Sequence, residues 1–371
     1  MPIENYNMSL MPPSFEPWSP KQDKSKQVAV LMSGGVDSSV TASLLRDDGW
    51  DVLGITMKIP VACTNARGCC GADAAFVCHE LGLPHYFVDV TEAFRKLIIE
   101  PFQASYARGH TPSPCIDCNT LLKFTLVWDF VTDSFGIEYV ATGHYARVLR
   151  EDGTARLARA KDKSKDQSYF LYGIPAERLD KILLPLGDYS KPQIRKLASK
   201  LNLSVAEKAE SMELCFAGEG DYRQALDGGQ KDVEGDLTDF DGNKIGIHKG
   251  ISNYTMGQRR GLGFAGRVPL YVVRIDAVTN TVALGTKEQV STDTVIAAEI
   301  NILIPEEFSA GSVLSAKIRS GGEPYGCKLI SAEPNAMTVK FDKPQFAPTP
   351  GQRIVLYDNR ENIIAGGTIT Y

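Results

Sequence analysis

The chain has 371 residues, 43% of them hydrophobic and 23% charged, with a formal net charge of −5. A single hydrophobic core rarely organises that many residues, so two or three domains are expected. No run approaches 18 apolar residues, which excludes a transmembrane helix, and the acidic balance excludes a globally basic nucleic-acid binder; RNA would have to be held by local patches.

In chain order, residues 1–26 carry five prolines, few aliphatic residues and no arginine. They predict a disordered extension without the apolar stretch of a signal peptide or the arginine-rich character of a transit peptide, so the chain reads as cytoplasmic. Gln27 to Met32 is an apolar, β-branched run typical of a buried parallel strand. Ser33-Gly34-Gly35-Val36-Asp37-Ser38-Ser39 follows, then helical spacing over Val40 to Leu45. A strand, a glycine turn and a helix N-terminus make an anion site, because backbone N–H groups converge where the helix end adds partial positive charge. The loop lacks the lysine of the common mononucleotide loop; Ser38 and Ser39 offer hydroxyls instead. An ordinary Gly/Ser turn is the alternative. The S-G-G-x-D-S pattern resembles the pyrophosphate loop of ATP pyrophosphatases, which implies binding of the β,γ-phosphates of ATP, attack at the α-phosphate, and an Asp37 that helps to hold Mg²⁺.

Strand-like runs at Asp51–Met57, His85–Asp89 and Tyr139–Ala141 alternate with helical segments at Ala72–Leu81, Thr91–Ile99 and Thr120–Phe135. The alternation predicts an α/β domain, a parallel sheet with helices on both faces, whose ligands bind beyond the carboxyl ends of the strands. Ser33, Met57 and Thr142-Gly143-His144 all fall at such ends. Helical stretches are expected at Glu177–Leu184 and Lys191–Leu201. Glycine-rich sequence with short strands follows Ala209. From about Tyr271 the chain reads as short strands separated by Gly, Pro and Asn turns, which suggests a small barrel.

Of the eight cysteines, Cys115 and Cys118 form a CxxC in a proline-stiffened loop entering a helix, Thr111-Pro112-Ser113-Pro114-Cys115-Ile116-Asp117-Cys118-Asn119. A helix N-terminus lowers a thiol pKa, which suits a nucleophile or a metal ligand. Cys215 is a third candidate, Cys78 and Cys327 read as packing residues, and Cys63, Cys69 and Cys70 crowd a loop after the second strand where a zinc site is conceivable.

The loop, Met57-Lys58, the Thr111–Asn119 segment, Ala141-Thr142-Gly143-His144-Tyr145, Lys165-Asp166-Gln167-Ser168-Tyr169-Phe170-Leu171, Cys215-Phe216 and Gly257-Gln258-Arg259 occur in this order. The ordered set resembles the bacterial tRNA-specific 2-thiouridylases from Gln27 to Tyr371. The resemblance implies a pyrophosphatase domain over 27–210, a small β-rich central domain over 211–280 and a β-barrel over 281–371. It implies ATP contacts at Leu31, Met32, Ser33, Gly34, Gly35, Val36, Asp37, Ser38, Met57 and Gly143. Cys118 matches the nucleophile and Cys215 the persulfide carrier. His144, Lys165, Asp166, Gln167, Arg319, Ser320 and Gln352 match tRNA contacts, although Ser320-Gly321-Gly322 replaces the bulkier residues usual beside Arg319. The implied reaction adenylates C2 of the wobble uridine and replaces its oxygen by sulfur, with tRNA and a sulfur donor (a desulfurase, a relay protein or sulfide) as partners.

The chemistry agrees with that scheme. An amide-like oxygen leaves badly until AMP is attached, and two cysteines can hold and release a persulfide sulfur. Many relatives carry Asp where this chain has Cys115. Cys115, Cys118 and Cys215 therefore also read as three thiolate ligands of a [4Fe–4S] cluster with one open iron. Rival readings are an adenylating enzyme of small molecules, which needs no sulfur pair, and a metal- or RNA-binding module, which needs no phosphate loop.

Overall fold

The computed structural model describes residues 6–20, 23–60, 70–209, 214–217, 222–226, 233–264, 266 and 268–370. The chain divides into two compact units: Met1–Ile98 with Cys115–Cys215, and Ile99–Pro114 with Phe216–Tyr371.

The first unit is built on a six-stranded sheet. Its strands are β1 (Ser9–Leu10), β2 (Gln27–Leu31), β3 (Asp51–Lys58), β4 (His85–Asp89), β5 (Tyr139–Ala141) and, beyond a separate hairpin of β6 (Ala146–Glu151) and β7 (Thr154–Arg159), β8 (Ile182–Leu183). The order is β1-β4-β3-β2-β5-β8, parallel throughout except for β1. Val28, Ala29 and Val30 are completely buried, as the β-branched run requires of a central strand covered on both faces. The chain runs outward from β2 to β4 and then returns to β5 on the other side of β2. The order therefore reverses between β2 and β5, and the crevice beyond their carboxyl ends is where such sheets take ligands.

Two expectations fail here. The segment expected as a disordered extension supplies β1, pairing Ser9 with Asp89 and Leu10 with Val88, and continues along β4 through Met11 N–H to Phe87 O and Ser14 N–H to His85 O. Pairing with the open edge of β4 satisfies backbone groups that composition alone would leave to water. The helix expected over Glu177–Leu184 is a 3₁₀ segment, Ala176–Lys181, followed by β8. Ile182 pairs with Val140, so tertiary pairing overrides local spacing. The β6–β7 hairpin was not anticipated; Asp152 and Gly153 both take positive φ (51° and 77°), as an Asp-Gly hairpin turn demands.

The second unit holds a four-stranded sheet of Gly235–Thr238, Lys244–His248, Tyr271–Asp276 and Thr281–Gly285. Leu237, Val272, Val282 and Leu284 form its core. It also holds a closed barrel of Ser291–Ile302, Val313–Lys317, Tyr325–Glu333, Ala336–Phe346, Arg353–Tyr357 and Ile363–Ile369. Closure removes the edges that short antiparallel strands would otherwise expose. No helix among the described residues is long and apolar enough to cross a membrane.

Candidate active site

Helix α1 (Val36–Asp47) begins directly after β2 and the glycine turn. Gly34 takes φ 68°, a left-handed value that favours glycine, and reverses the chain. Gly35 is the N-cap and its position carries no side-chain cap bond, so the first-turn N–H groups are left for a ligand rather than a capping side chain. Ser38 Oγ accepts from Ser33 N–H at 3.2 Å and lies 3.2 Å from Ser33 Oγ, while Ser39 Oγ donates to Gly35 O at 2.9 Å. These bonds fix the turn from inside. Gly143, just past β5, lies against the same helix end: a Cβ there would stand 2.7 Å from Ser38 N and 2.8 Å from Asp37 C. Leu31 and Met32 bury their side chains, the Met32 N–H donates to Ile55 O and its carbonyl accepts from Thr56 Oγ1, and Met57 is half-buried at the end of β3.

Asp37 departs from expectation. Lys191 Nζ donates to both its oxygens at 2.8 Å, and Tyr145 Oη donates to Oδ1 at 2.8 Å. Lys191 is 7% exposed and its ammonium sits 5.7 Å from the Tyr145 ring centroid. As placed, Asp37 is an ion-pair partner and not an open Mg²⁺ ligand. A second lysine, Lys208, donates to Gly34 O at 2.9 Å and pairs with Asp73. The lysine missing from the loop sequence is thus supplied twice from distant chain. Neither has a local signal: Lys191 reads as the first residue of a capped helix, Lys191–Lys200.

The thiols lie in the same unit. Cys115 sits in a helical turn, Pro114–Asp117, and Cys118 opens a π-wound stretch, Cys118–Val127, that runs on into an α-helix, Trp128–Phe135. Three residues apart, the two share a helix face. Cys115 and Cys215 are exposed and Cys118 half-buried. Although Cys115 and Cys215 open to solvent, desolvation by the surrounding protein raises all three thiol pKa values, that of Cys215 to about 12 with the charges of Cys118 and Cys115 contributing. The direction is opposite to the lowering expected of a helix start. The counterweight is Lys123, which sequence reasoning missed. Its charge opposes the rise at all three cysteines, and Asn119 Oδ1 holds its ammonium at 2.8 Å. Among the described residues no group of three or more His, Cys, Asp or Glu side chains is arranged to hold a metal ion, so the three thiols as placed do not fit the expected cluster. Cys63 and Cys69 lie outside the described residues, as does the side chain of Cys70. Cys78 and Cys327 are buried packing residues.

Of the expected tRNA contacts in this unit, His144 Nδ1 lies 2.7 Å from Thr142 Oγ1, and burial, with Lys123, lowers its pKa to about 3. The imidazole is neutral and cannot act as a phosphate cation. Asp166 accepts from Arg159 Nε at 2.9 Å, Ala160 N–H at 3.1 Å and Ser168 N–H at 3.2 Å. Only 1% of its side chain is exposed, so the carboxylate is turned inward. Gln167 Oε1 accepts from Tyr145 N–H at 2.9 Å, so its side chain braces the β5 loop. Lys165 is half-exposed. In the second unit, Arg319 donates to Phe346 O and lies 5.9 Å from the Phe346 ring centroid, and Ser320 is exposed beside it. Gln352 Nε2 donates to Thr111 O at 3.0 Å and Pro112 O at 3.2 Å, holding the proline loop rather than facing outward.

Residues 26–219 match the family described as the tRNA methyl transferase HUP domain, residues 225–286 its PRC-barrel domain, and residues 292–369 the aminomethyltransferase beta-barrel domain. The chain is 42% identical over 361 residues to the tRNA-specific 2-thiouridylase MnmA of Carboxydothermus hydrogenoformans, covering 93% of this chain and 97% of that one. The chain belongs to the tRNA-specific 2-thiouridylase family. It is likewise 41% identical over 367 residues to MnmA of Salinibacter ruber, covering 93% and 94% of the two chains. Among solved structures, the U34-tRNA thiolase NcsA from Methanococcus maripaludis, with its [4Fe-4S] cluster, is similar at a TM-score of 0.34 and 18% identity, over 54% of this chain and 64% of that one. That likeness is too slight to bear on mechanism.

Proposed function

We propose that the chain is an ATP-dependent tRNA-uridine 2-sulfurtransferase. The observation that carries this reading is a bare helix N-terminus at the sheet's switch point in the same unit as Cys118 and Cys215, in a chain of the 2-thiouridylase family. Uridine O2 attacks the α-phosphorus of ATP and pyrophosphate leaves through the Ser33–Ser38 loop, with its charge met by the α1 N–H groups. A sulfur donor loads Cys215 as a persulfide. The Cys118 thiolate, favoured by Lys123, attacks the inner sulfur, forms the Cys118–Cys215 disulfide and releases hydrosulfide. Hydrosulfide adds at C2, AMP departs with the oxygen, and an external dithiol reopens the disulfide. Mg²⁺ accompanies ATP as its substrate complex; no step is assigned to it at Asp37. Lys165 in the first unit and Arg259 and Arg260 in the second contribute local positive charge for tRNA phosphates.

The test mixes the protein, ATP, tRNA and a persulfide-generating donor, then measures pyrophosphate and nucleoside composition. Pyrophosphate release should require tRNA, and 2-thiouridine should appear. Cys118→Ser and Cys215→Ser should abolish 2-thiouridine while retaining ATP binding, and Cys115→Ala should keep it. Pyrophosphate release without tRNA would point to a small-molecule substrate. Loss of activity in Cys115→Ala together with protein-bound iron in the wild type would replace the persulfide route.

A further inference from the structure

The pyrophosphate loop carries no lysine of its own, yet a lysine ammonium already rests on it. Lys208 Nζ donates to the carbonyl of Gly34, the left-handed residue at the tip of the turn, at 2.9 Å. Its second partner is Asp73, in the first turn of the helix Cys70–Glu80. The Lys208 backbone is held independently. Arg195 Nη1 donates to Ala206 O at 3.0 Å, and both its terminal nitrogens reach Lys208 O at 3.4 Å. The side chain is 32% exposed, so its root is fixed while its head has room to turn. An ammonium has three N–H donors, and a neutral carbonyl is a weak use of one beside a site built for phosphate.

Resting on the ATP reading above, the geometry points to Lys208 as a positioning residue for the triphosphate: its ammonium moves from Gly34 O and Asp73 to the β,γ-phosphates when ATP binds. Asp73 then acts as the parking partner, competing with phosphate for the same cation. This differs from a brace, in which the Lys208–Asp73 pair would simply hold the turn in shape. The two roles give opposite signs for one substitution. If Asp73 competes, Asp73→Asn tightens ATP through Lys208; if the pair braces the turn, Asp73→Asn weakens ATP.

Equilibrium binding of ATP and of AMP, which lacks the β,γ-phosphates, is measured on the full chain for wild type, Lys208→Met, Lys208→Arg, Asp73→Asn and the Asp73→Asn/Lys208→Met double variant. Lys208→Met should weaken ATP by about tenfold or more and leave AMP within about twofold, the size of one charge-assisted phosphate contact. Lys208→Arg should restore most of the loss. Asp73→Asn should tighten ATP, and the gain should vanish when Lys208 is also replaced. Equal losses for ATP and AMP, no loss of ATP, or a gain that persists in the double variant would overturn the assignment. If Lys208→Met does not fold, unchanged or weakened ATP binding by Asp73→Asn overturns it alone. A wild type that binds ATP no better than AMP would instead bring down the ATP reading on which the assignment rests.

Discussion

At Asp37 the carboxylate of the phosphate loop is already balanced before any ligand arrives. Two bonds from Lys191 and one from Tyr145 occupy it, at a point where a phosphate and a carboxylate would otherwise repel. Lys191 therefore keeps the loop from carrying net negative charge. Removing it leaves Asp37 unpaired against the incoming triphosphate, since a lone charge in a partly enclosed site costs more than the pair contributes. Lys191→Met should raise the ATP concentration for half-maximal pyrophosphate release by about tenfold or more. Asp37→Asn in the same chain should recover part of that loss, because the repulsion goes with the charge. An ATP titration of Lys191→Met that overlays the wild type would show that the pair is a scaffold contact and nothing else.

The element that makes the site is the junction of β5 with the start of α1, set by how closely their backbones approach. Gly143 is there because a side chain would meet backbone: the nearest atoms to a Cβ are Ser38 N and Asp37 C, neither of which can swing away. Gly143→Ala should push the end of β5 off the helix, cost about 1–3 kcal/mol of stability by overpacking, and weaken ATP more than the fold. Paired measurements of melting temperature and ATP affinity check this; a variant that keeps both would mean the two segments separate freely. The thiol-bearing helix makes a similar point. Its π winding begins at Cys118, and extra residues per turn in a helix are often found at functional sites. Lys123, five positions on, opposes the rise in all three thiol pKa values.

On the scale of the whole molecule, the N-terminal segment ties the sheet edge to a buried histidine. His85 is fully buried, with Nδ1 2.8 Å from Ser14 Oγ and Nε2 2.8 Å from Thr56 Oγ1. Burial lowers its pKa from 6.5 to about 4, so the fold holds it neutral. Between those values the unfolded chain takes up a proton that the folded chain refuses. Stability is therefore complete above pH 6.5 and falls as the pH drops toward 4, by on the order of 3 kcal/mol from this group. Unfolding by denaturant at a series of pH values should show that slope. His85→Gln should lower stability at neutral pH yet flatten the profile between pH 6.5 and 4. An unchanged slope in the variant would assign the acid sensitivity elsewhere, with His144 the next group of the same sign.

Much of this protein was written in consecutive residues. The buried β-branched strand, the glycine turn and the helix after it are local facts, and local steric and hydrogen-bonding rules were enough to place Ser33–Ser38 at a strand end. Alternating strands and helices gave the parallel sheet, and short strands between turns gave the barrel. What failed was what depends on a partner. The N-terminal segment is polar and proline-rich, so nothing within it announces the β4 edge that orders it. The Glu177–Leu184 segment has helical spacing, but Ile182 finds Val140 instead. The same limit holds at the site. The strand, turn and helix start were legible, while the lysines that meet them were not, because Lys191 meets Asp37 from 154 positions away and Lys208 meets Gly34 from 174. The direction of the thiol pKa shift was missed for that reason too. A helix start is visible in the sequence, but the protein surroundings that raise the thiol pKa values are assembled only when the chain folds.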